Sequence, residues 1–248
     1  IGEIRKFLTI PDEPLKGSEI IDFNGLITIK DLHFKYPESK IPLFEKLDFQ
    51  LVPGKLVTLT GSNGSGKTTL IKSLAGVIEF ERGQVFFDKI EINQLSPYWL
   101  RKNLIYVPQE PKFVDGLLLE NIIGSTQIKK DRMQNILKSV DLEKYVNSDP
   151  NGLNMTLIDR GENLPFGIRK RIAFARALHN DGQFVILDEP TEALDDSGKS
   201  AVYNLIDEFI KLNKTLLIST LDHNIINNSS VTINLDSKPY PKINMNKV

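Results

Sequence analysis

Apolar and polar side chains alternate between residues 26 and 36, which is the period of a half-buried β-strand. Ile27 and Ile29 fall on one face, whereas Leu32 and Phe34 continue the alternation in the opposite phase. Because a change of phase within one extended segment needs an extra residue, the pattern predicts a bulge or bend near residues 30–31. Pro37 then ends the strand.

Two further segments near the N-terminus also have the pattern of β-strands. Every second side chain is apolar in residues 47–51, and Pro53 with Gly54 closes that segment. Residues 85–87 form a short apolar run after Gly83. Together with the first strand, these segments predict an antiparallel sheet that flanks the rest of the fold.

Other strand candidates are continuously apolar, which is typical of strands buried on both faces of a parallel sheet. They cover residues 57–60, 184–187 and 215–220, and residues 104–109 form another strand that ends in Pro-Gln. Residues 231–235 are a candidate edge strand. We expect an α/β fold whose core sheet is mostly parallel.

The pattern becomes helical between residues 117 and 178. Met133, Ile136, Leu137 and Val140 recur at the spacing of one helix face, and we interpret that stripe as ordinary core packing. The sequence therefore predicts an inserted helical subdomain at about residues 113–180.

Composition excludes several classes of function. The chain has 248 residues, no cysteine and three histidines, so disulfides and thiolate metal sites are excluded and a zinc site has few ligands. A net charge of −1 gives no overall reason to expect nucleic-acid binding. No apolar run approaches the roughly 20 residues of a membrane span, and the start is not a secretory signal.

The glycine-rich stretch at residues 61–68 reads GSNGSGKT and joins the strand at 57–60 to a helix-like run. This is the phosphate-loop pattern G-x-x-x-x-G-K-[ST], in which backbone N–H groups and a helix N-terminus surround a phosphate. Lys67 can then reach the β- and γ-phosphates, and the Thr68 hydroxyl can bind Mg²⁺. The alternative, a Gly/Ser-rich turn that binds nothing, fits poorly with the flanking strand and helix. The sequence predicts nucleotide binding.

Two carboxylates follow the buried strand at 184–187. Ligands of open α/β sheets bind at the carboxyl ends of strands, so Asp188 is suited to hold Mg²⁺ and Glu189 to orient or deprotonate a water. The alternative is a strand followed by an acidic helix cap, which the phosphate loop makes less attractive. Tyr36 can stack on an adenine or simply pack on its own sheet, and Gln109 is either a metal-site residue or an ordinary loop residue.

Taken together, residues 26–222 resemble the nucleotide-binding domain of ABC transporters, the exporter type in particular. The resemblance rests on motifs in a fixed order: Tyr36, GSNGSGKT at 61–68, Gln109, GENL with RKRIAFARAL at 161–178, FVILDEP at 184–190 and EALD at 192–195. Asp115-Gly116 with Glu120-Asn121-Ile122 is similar to an exporter pattern. Residues 5–8 with Pro11 and Pro14 resemble the linker that follows an exporter's last membrane helix.

The resemblance implies a P-loop NTPase core of the ABC ATPase fold. We expect residues 1–24 to be a linker from a membrane domain of the same chain and residues 25–248 to be the nucleotide-binding domain. Its cofactors would be ATP and Mg²⁺. The expected catalytic residues are Glu189, Gln109 and Lys67, the metal-site residues are Thr68, Gln109 and Asp188, and the nucleotide contacts are Tyr36, Ser62, Asn63, Gly64, Ser65, Gly66, Lys67, Thr68, Thr69 and Gln109.

Two departures from the family pattern affect the expected activity. Where the family reads LSGGQ, residues 164–168 (here called the signature loop) read LPFGI. Pro165 has neither a hydroxyl nor an N–H to offer a γ-phosphate, and Phe166 is bulky where glycine allows close approach. Where the family has a switch histidine, this chain has Leu221, and His223 lies two residues on.

We therefore expect an ATP-hydrolysing motor domain of an exporter at the cytoplasmic face of a membrane, with slow turnover. It would pair with a second nucleotide-binding domain, as a homodimer or a heterodimer. One alternative is a regulatory module that dimerises on ATP and hardly hydrolyses it. Another is a soluble ABC-type ATPase acting on DNA or ribosomes, which should carry a coiled-coil insertion or basic extensions that this sequence lacks.

Overall fold

Two sheets and a group of helices make up the described part of the chain, residues 17–246 of a computed structural model. Most of the expected linker at residues 1–24, including Pro11 and Pro14, lies outside the described residues. In chain order the strands are β1 (Ile27–Phe34), β2 (Phe44–Leu51), β3 (Leu56–Thr60), β4 (Arg82–Phe87), β5 (Ile90–Glu91), β6 (Leu104–Val107), β7 (Gly116–Leu117), β8 (Thr156–Leu157), β9 (Phe184–Asp188), β10 (Thr215–Ser219), β11 (Val231–Asn234) and β12 (Lys242–Met245).

The antiparallel sheet has the order β2-β1-β4-β5 and confirms the predicted flank. Ile29 pairs with Phe49 on one side and with Val85 on the other. The register of β1 against β2 then shifts between Ile29 and Leu32, and Asp31 lies at that shift with φ of 44°. The predicted irregularity near residues 30–31 is therefore confirmed.

The central sheet has the order β12-β11-β3-β10-β9-β6 and is parallel except for β12. One expectation was wrong here, because β11 is not an edge strand. It pairs with β3 on one side and with β12 on the other. β12 was missed because its side chains are mostly exposed and show no clear apolar alternation. It covers hydrogen-bonding groups that β11 would otherwise present to solvent.

The described helices are α1 (Lys67–Leu74), α2 (Pro97–Asn103), α3 (Leu118–Ile123), α4 (Lys130–Ser139), α5 (Glu143–Ser148), α6 (Phe166–His179), α7 (Asp196–Lys211) and α8 (His223–Asn227). The helices α3 to α6 occupy the region where the sequence pattern turned helical. Met133, Ile136 and Leu137 of α4 are buried, and Val140 follows them into the core. None of the helices within residues 17–246 has the length and apolar content needed to cross a membrane.

Aromatic contacts join the antiparallel sheet to the central sheet. The fully buried Phe87 of β4 has its ring centroid 6.0 Å from that of Phe184 on β9 and 6.2 Å from that of Trp99 on α2. Phe23 lies 5.8 Å from the same ring. These rings belong to or pack against one buried apolar cluster that both sheets share, which also includes aliphatic residues such as Ile27 of β1 and Leu217 of β10.

Removing the Phe87 ring should weaken the packing between the two sheets. We expect Phe87→Ala to lower the free energy of unfolding by about 3–5 kcal/mol, because it deletes three aromatic contacts and leaves a cavity. Urea unfolding followed by circular dichroism measures the change. Phe86→Ala is the matched control, since Phe86 is partly exposed on the other face of the same strand and should cost about 1 kcal/mol. Equal losses of unfolding free energy in the two variants would contradict the conclusion that Phe87 packs the two sheets together.

Candidate nucleotide-binding site

The glycine-rich loop between β3 and α1 has a backbone that few other sequences could adopt. Gly61, Gly64 and Gly66 have φ of 142°, 78° and 113°, a region that L-residues rarely enter. A Cβ on Gly61 would also lie 2.6 Å from the Ser65 hydroxyl. The loop leads directly into α1, so the unpaired N–H groups of that helix face the space above the loop.

That space is a cavity of about 400 Å³. Its walls come from segments far apart in sequence, and they include all ten predicted nucleotide contacts: Tyr36, Ser62, Asn63, Gly64, Ser65, Gly66, Lys67, Thr68, Thr69 and Gln109, together with Leu43 and Glu189. The Tyr36 hydroxyl lies 2.8 Å from the Thr69 hydroxyl, and its ring packs edge-on against Phe34. Tyr36 therefore both packs on its own sheet and presents a half-exposed ring to the cavity.

Lys67 lies between the loop and Glu189. Its Nζ donates to the Gly61 carbonyl at 2.7 Å and lies 3.5 Å from Glu189 Oε1. Burial raises the pKa of Glu189 above its ordinary value, and the positive charge of Lys67 partly opposes that effect. A carboxylate with a raised pKa at the edge of a polar cavity is suited to accept a proton from a water.

Asp188, at the end of β9, is nearly fully buried. Its Oδ2 accepts a hydrogen bond from the Thr68 hydroxyl at 3.3 Å, and its Oδ1 accepts one from the Ser219 hydroxyl. Two of the three residues predicted for the metal site, Thr68 and Asp188, are thus adjacent, although 120 positions separate them. Among residues 17–246 no three acidic, histidine or cysteine side chains converge on a metal position. Two protein oxygens completed by phosphates and waters suit Mg²⁺, which keeps much of its hydration shell.

Gln109 lines the cavity, but its amide is engaged elsewhere. Its Nε2 donates to Glu192 Oε2 at 2.7 Å, and the contacts of Asp188 described above come from Thr68 and Ser219. A direct role for Gln109 at the metal therefore stays a prediction.

A second cleft, of about 820 Å³, adjoins the first and shares Asn63, Gln109 and Glu189 with it. Leu221 and His223 also line this cleft, and Leu221 exposes 57% of its surface. An apolar side chain here offers no hydrogen bond to a phosphate. His223 is the first residue of α8, and it lines the same cleft as Glu189.

The signature loop runs into α6, which begins at Phe166, within the loop. The Phe166 ring lies over two cations of its own helix, 5.3 Å from the Arg169 guanidinium and 5.1 Å from Lys170 Nζ.

Sequence reasoning missed a set of hydrogen bonds, here called the brace, between the phosphate loop and the turn after β11. The Asp236 carboxylate accepts hydrogen bonds from the Ser62 N–H at 2.8 Å and from its hydroxyl at 2.7 Å. Lys238 Nζ donates to the Gly64 carbonyl at 3.0 Å. These residues lie 174 positions beyond the loop, so no local pattern could have revealed them.

Lys170 was also missed, because a lysine on a helix is usually solvated. Here it is completely buried, and its Nζ donates to the backbone carbonyl of Glu189. Burial lowers the pKa of Lys170 to about 8, although the negative charges of Glu192, Glu189 and Asp188 act in the opposite direction.

Comparison with known proteins agrees with this geometry. The profile of the family described as "ABC transporter" matches residues 44–192. Multidrug resistance protein pgp-1 of Caenorhabditis elegans is 33% identical over 205 residues, which are 82% of this chain and 16% of that protein. The ATP-dependent lipid A-core flippase of Saccharophagus degradans is 30% identical over 236 residues, which are 94% of this chain and 40% of that protein.

Among solved structures, a bacterial Atm1-family ABC exporter with ATP bound superposes with a TM-score of 0.87 at 20% identity, over 98% of this chain and 43% of the exporter chain. This likeness confirms the predicted fold. The chain thus spans less than half the length of these three proteins.

The brace from Asp236 should protect the phosphate loop. We expect Asp236→Ala to speed amide hydrogen exchange at Ser62 several-fold, because the N–H loses its charged acceptor. Exchange of individual amides, followed by NMR, measures this. Ser237→Ala is the control at the neighbouring position, and it should leave exchange at Ser62 unchanged. The same protection in Asp236→Ala as in the unmodified chain would show that the brace does not order the loop.

Proposed function

Because this chain belongs to the ABC transporter family, we propose that it is the ATP-binding and ATP-hydrolysing domain of an exporter. The observation that carries the proposal is the convergence of Lys67, Thr68 and Glu189 on one cavity, with the buried Asp188 hydrogen-bonded to Thr68 behind its wall. Residues 25–248 would be the nucleotide-binding domain, with its helical subdomain at about 113–180, and residues 1–24 the linker to a transmembrane domain. The domain would lie at the cytoplasmic face of the membrane.

The residues divide the chemistry of ATP hydrolysis among them. Loop N–H groups and Lys67 would hold the β- and γ-phosphates, with Tyr36 against the adenine. Thr68 and Asp188 would hold Mg²⁺, which neutralises phosphate charge when it is bound. Glu189 would accept the proton of the attacking water. Lys67 would exchange its contact with Glu189 for the phosphates, which frees that carboxylate for the water.

Two such domains would close head to tail on ATP, so that each signature loop faces the phosphates bound by the partner. Removing one preorganised donor from a charge-stabilising site typically costs about 3 kcal/mol, or about 10²–10³ in rate. A homodimer would carry the losses at Pro165 and Leu221 in both sites. In a heterodimer with an intact partner, the site built on this chain's phosphate loop would lack only the histidine. We infer slow or asymmetric hydrolysis.

A second candidate is a regulatory module that dimerises on ATP with little turnover. The exposed Leu221 beside Glu189 favours it, because the second cleft then lacks a polar side chain at the switch position. A soluble ATPase acting on DNA or ribosomes is disfavoured, since the longest helix within residues 17–246 has 16 residues, too few for a coiled-coil arm.

Lys67→Ala should abolish tight ATP binding, because it removes the cation that compensates the phosphate charge. We expect the Kd to rise at least about tenfold, the equivalent of about 1.4 kcal/mol. Titration with a fluorescent ATP analogue measures this. Lys72→Ala is the matched control, since Lys72 is exposed on the same helix and should bind like the unmodified chain. Full affinity in Lys67→Ala would overturn nucleotide binding at this loop.

Leu221→His should raise ATP turnover by up to about 10², because it supplies the missing donor at the switch position. Leu221→Ala is the control that removes the leucine without adding an imidazole, and it should not raise the rate. Steady-state phosphate release measures all three proteins. Slow hydrolysis would be disproved if the unmodified chain turned over as fast as an exporter domain with intact motifs and lost that activity in Glu189→Gln.

A further inference from the structure

Lys170 is a fully buried cation directly behind the predicted catalytic carboxylate. Its Nζ donates to the Glu189 carbonyl, and the Phe166 ring covers it at 5.1 Å. Burying an isolated ammonium is costly unless it is paired, so this position needs compensation. The charges of Glu192, Glu189 and Asp188 supply it, and with a pKa of about 8 the lysine is mostly protonated at neutral pH.

The backbone of Glu189 is unusual where Lys170 contacts it. Glu189 has φ of 46°, in a region that residues with a side chain enter uncommonly and at a cost in energy. Its N–H donates to the Ser219 carbonyl at 3.0 Å and to the Ser219 hydroxyl at 3.1 Å. Its carbonyl accepts from Lys170. The main chain of Glu189 is thus fixed on both sides, by β10 at the nitrogen and by α6 at the oxygen.

We propose that Lys170 is a positioning residue for ATP hydrolysis, which holds the Glu189 carbonyl and thereby fixes the Glu189 carboxylate above the phosphate loop. The inference rests on the proposed function, because positioning matters only if Glu189 acts on a water. It also explains Phe166. That side chain lies one helical turn before Lys170, and its ring face shields the ammonium from solvent. The altered signature loop is therefore joined to the catalytic residue of its own chain.

The position of the carboxylate depends on this contact because a glutamate side chain moves with its backbone. If the carbonyl is released, the peptide can leave the left-handed region, and Oε1 then moves from its place 3.5 Å from Lys67. A misplacement of about 1 Å at a reacting group can cost about 10² in rate. Nucleotide binding uses Lys67, Thr68 and the loop amides instead, and Lys170 contacts none of these through the bonds described.

Three variants of the full 248-residue chain separate positioning from a purely structural role. Lys170→Met keeps the length of the side chain but removes the charge and the donor, and Lys170→Arg keeps both. Arg169→Met is the matched control, since Arg169 lies on the same helix under the same ring. The measurements are kcat, the Kd for a fluorescent ATP analogue, and Tm.

We expect kcat of Lys170→Met to fall about 10- to 100-fold, with Kd changed less than about twofold. Lys170→Arg should recover part of the rate, and Arg169→Met should match the unmodified chain. The Tm of Lys170→Met should hold or rise, because replacing a buried charge by an apolar side chain is often neutral or stabilising. A structural role instead predicts a lower Tm with kcat and Kd impaired together, and that result would overturn the proposal.

Two further outcomes are decisive. If the unmodified chain shows no hydrolysis that depends on Glu189, the proposed function itself fails. If it does show such hydrolysis and Lys170→Met keeps its kcat, only the positioning role fails. Should Lys170→Met not fold, Lys170→Gln decides: an unmodified kcat would overturn the role of the cation, and a drop of about tenfold or more at unchanged Kd would support it.

Discussion

Parallel pairing of β10 with β3 and β9 is the constraint on which the candidate site depends. Ser219 stands opposite Leu59 on one side and Asp188 on the other. This register brings the end of β3, where the phosphate loop begins, next to the carboxylates that follow β9. Because all three strands are buried on both faces, a slip of one residue would disturb the whole core. The precision of the site is therefore set by the packing of apolar side chains beneath it.

Charge compensation then determines how the carboxylates are held. Glu189 lies between two lysines, with Lys67 near its carboxylate and Lys170 at its carbonyl. Glu192 accepts a hydrogen bond from Gln109, and its charge also favours protonated Lys170. Polar contacts of this kind are stronger in a partly buried site than in water, and removing one partner leaves the others uncompensated. The charged groups of the site are therefore coupled, so that removing one of them changes the electrostatic balance of the others.

Sequence reasoning identified the parts of this site that are encoded locally. The phosphate loop and the two carboxylates could be predicted, because each combines a strand with a chemically specific ending within a few residues. Ser219 and Asp236 could not, since their contacts to Glu189 and Ser62 span 30 and 174 positions. Lys170 was hidden for a different reason: the rule that lysines are solvated is usually right, and only the tertiary structure shows that α6 buries this one.

The two departures from the family pattern affect different halves of the proposed dimer site: Leu221 shares a cleft with Glu189 of its own chain, whereas the signature loop would face a partner. Lys67, Thr68, Asp188 and Glu189 belong to the half of the site that this chain builds for its own nucleotide. Pro165 and Phe166 belong to the half that it would offer to a partner. Phe166 could not approach a partner's phosphate as glycine does, but it has gained a contact with Lys170 inside its own chain. Ser219 and Lys170 hold the main chain of Glu189 from both sides, which is the arrangement that a positioned carboxylate requires. The geometry of Glu189 therefore supports the proposal of hydrolysis at this chain's own phosphate loop.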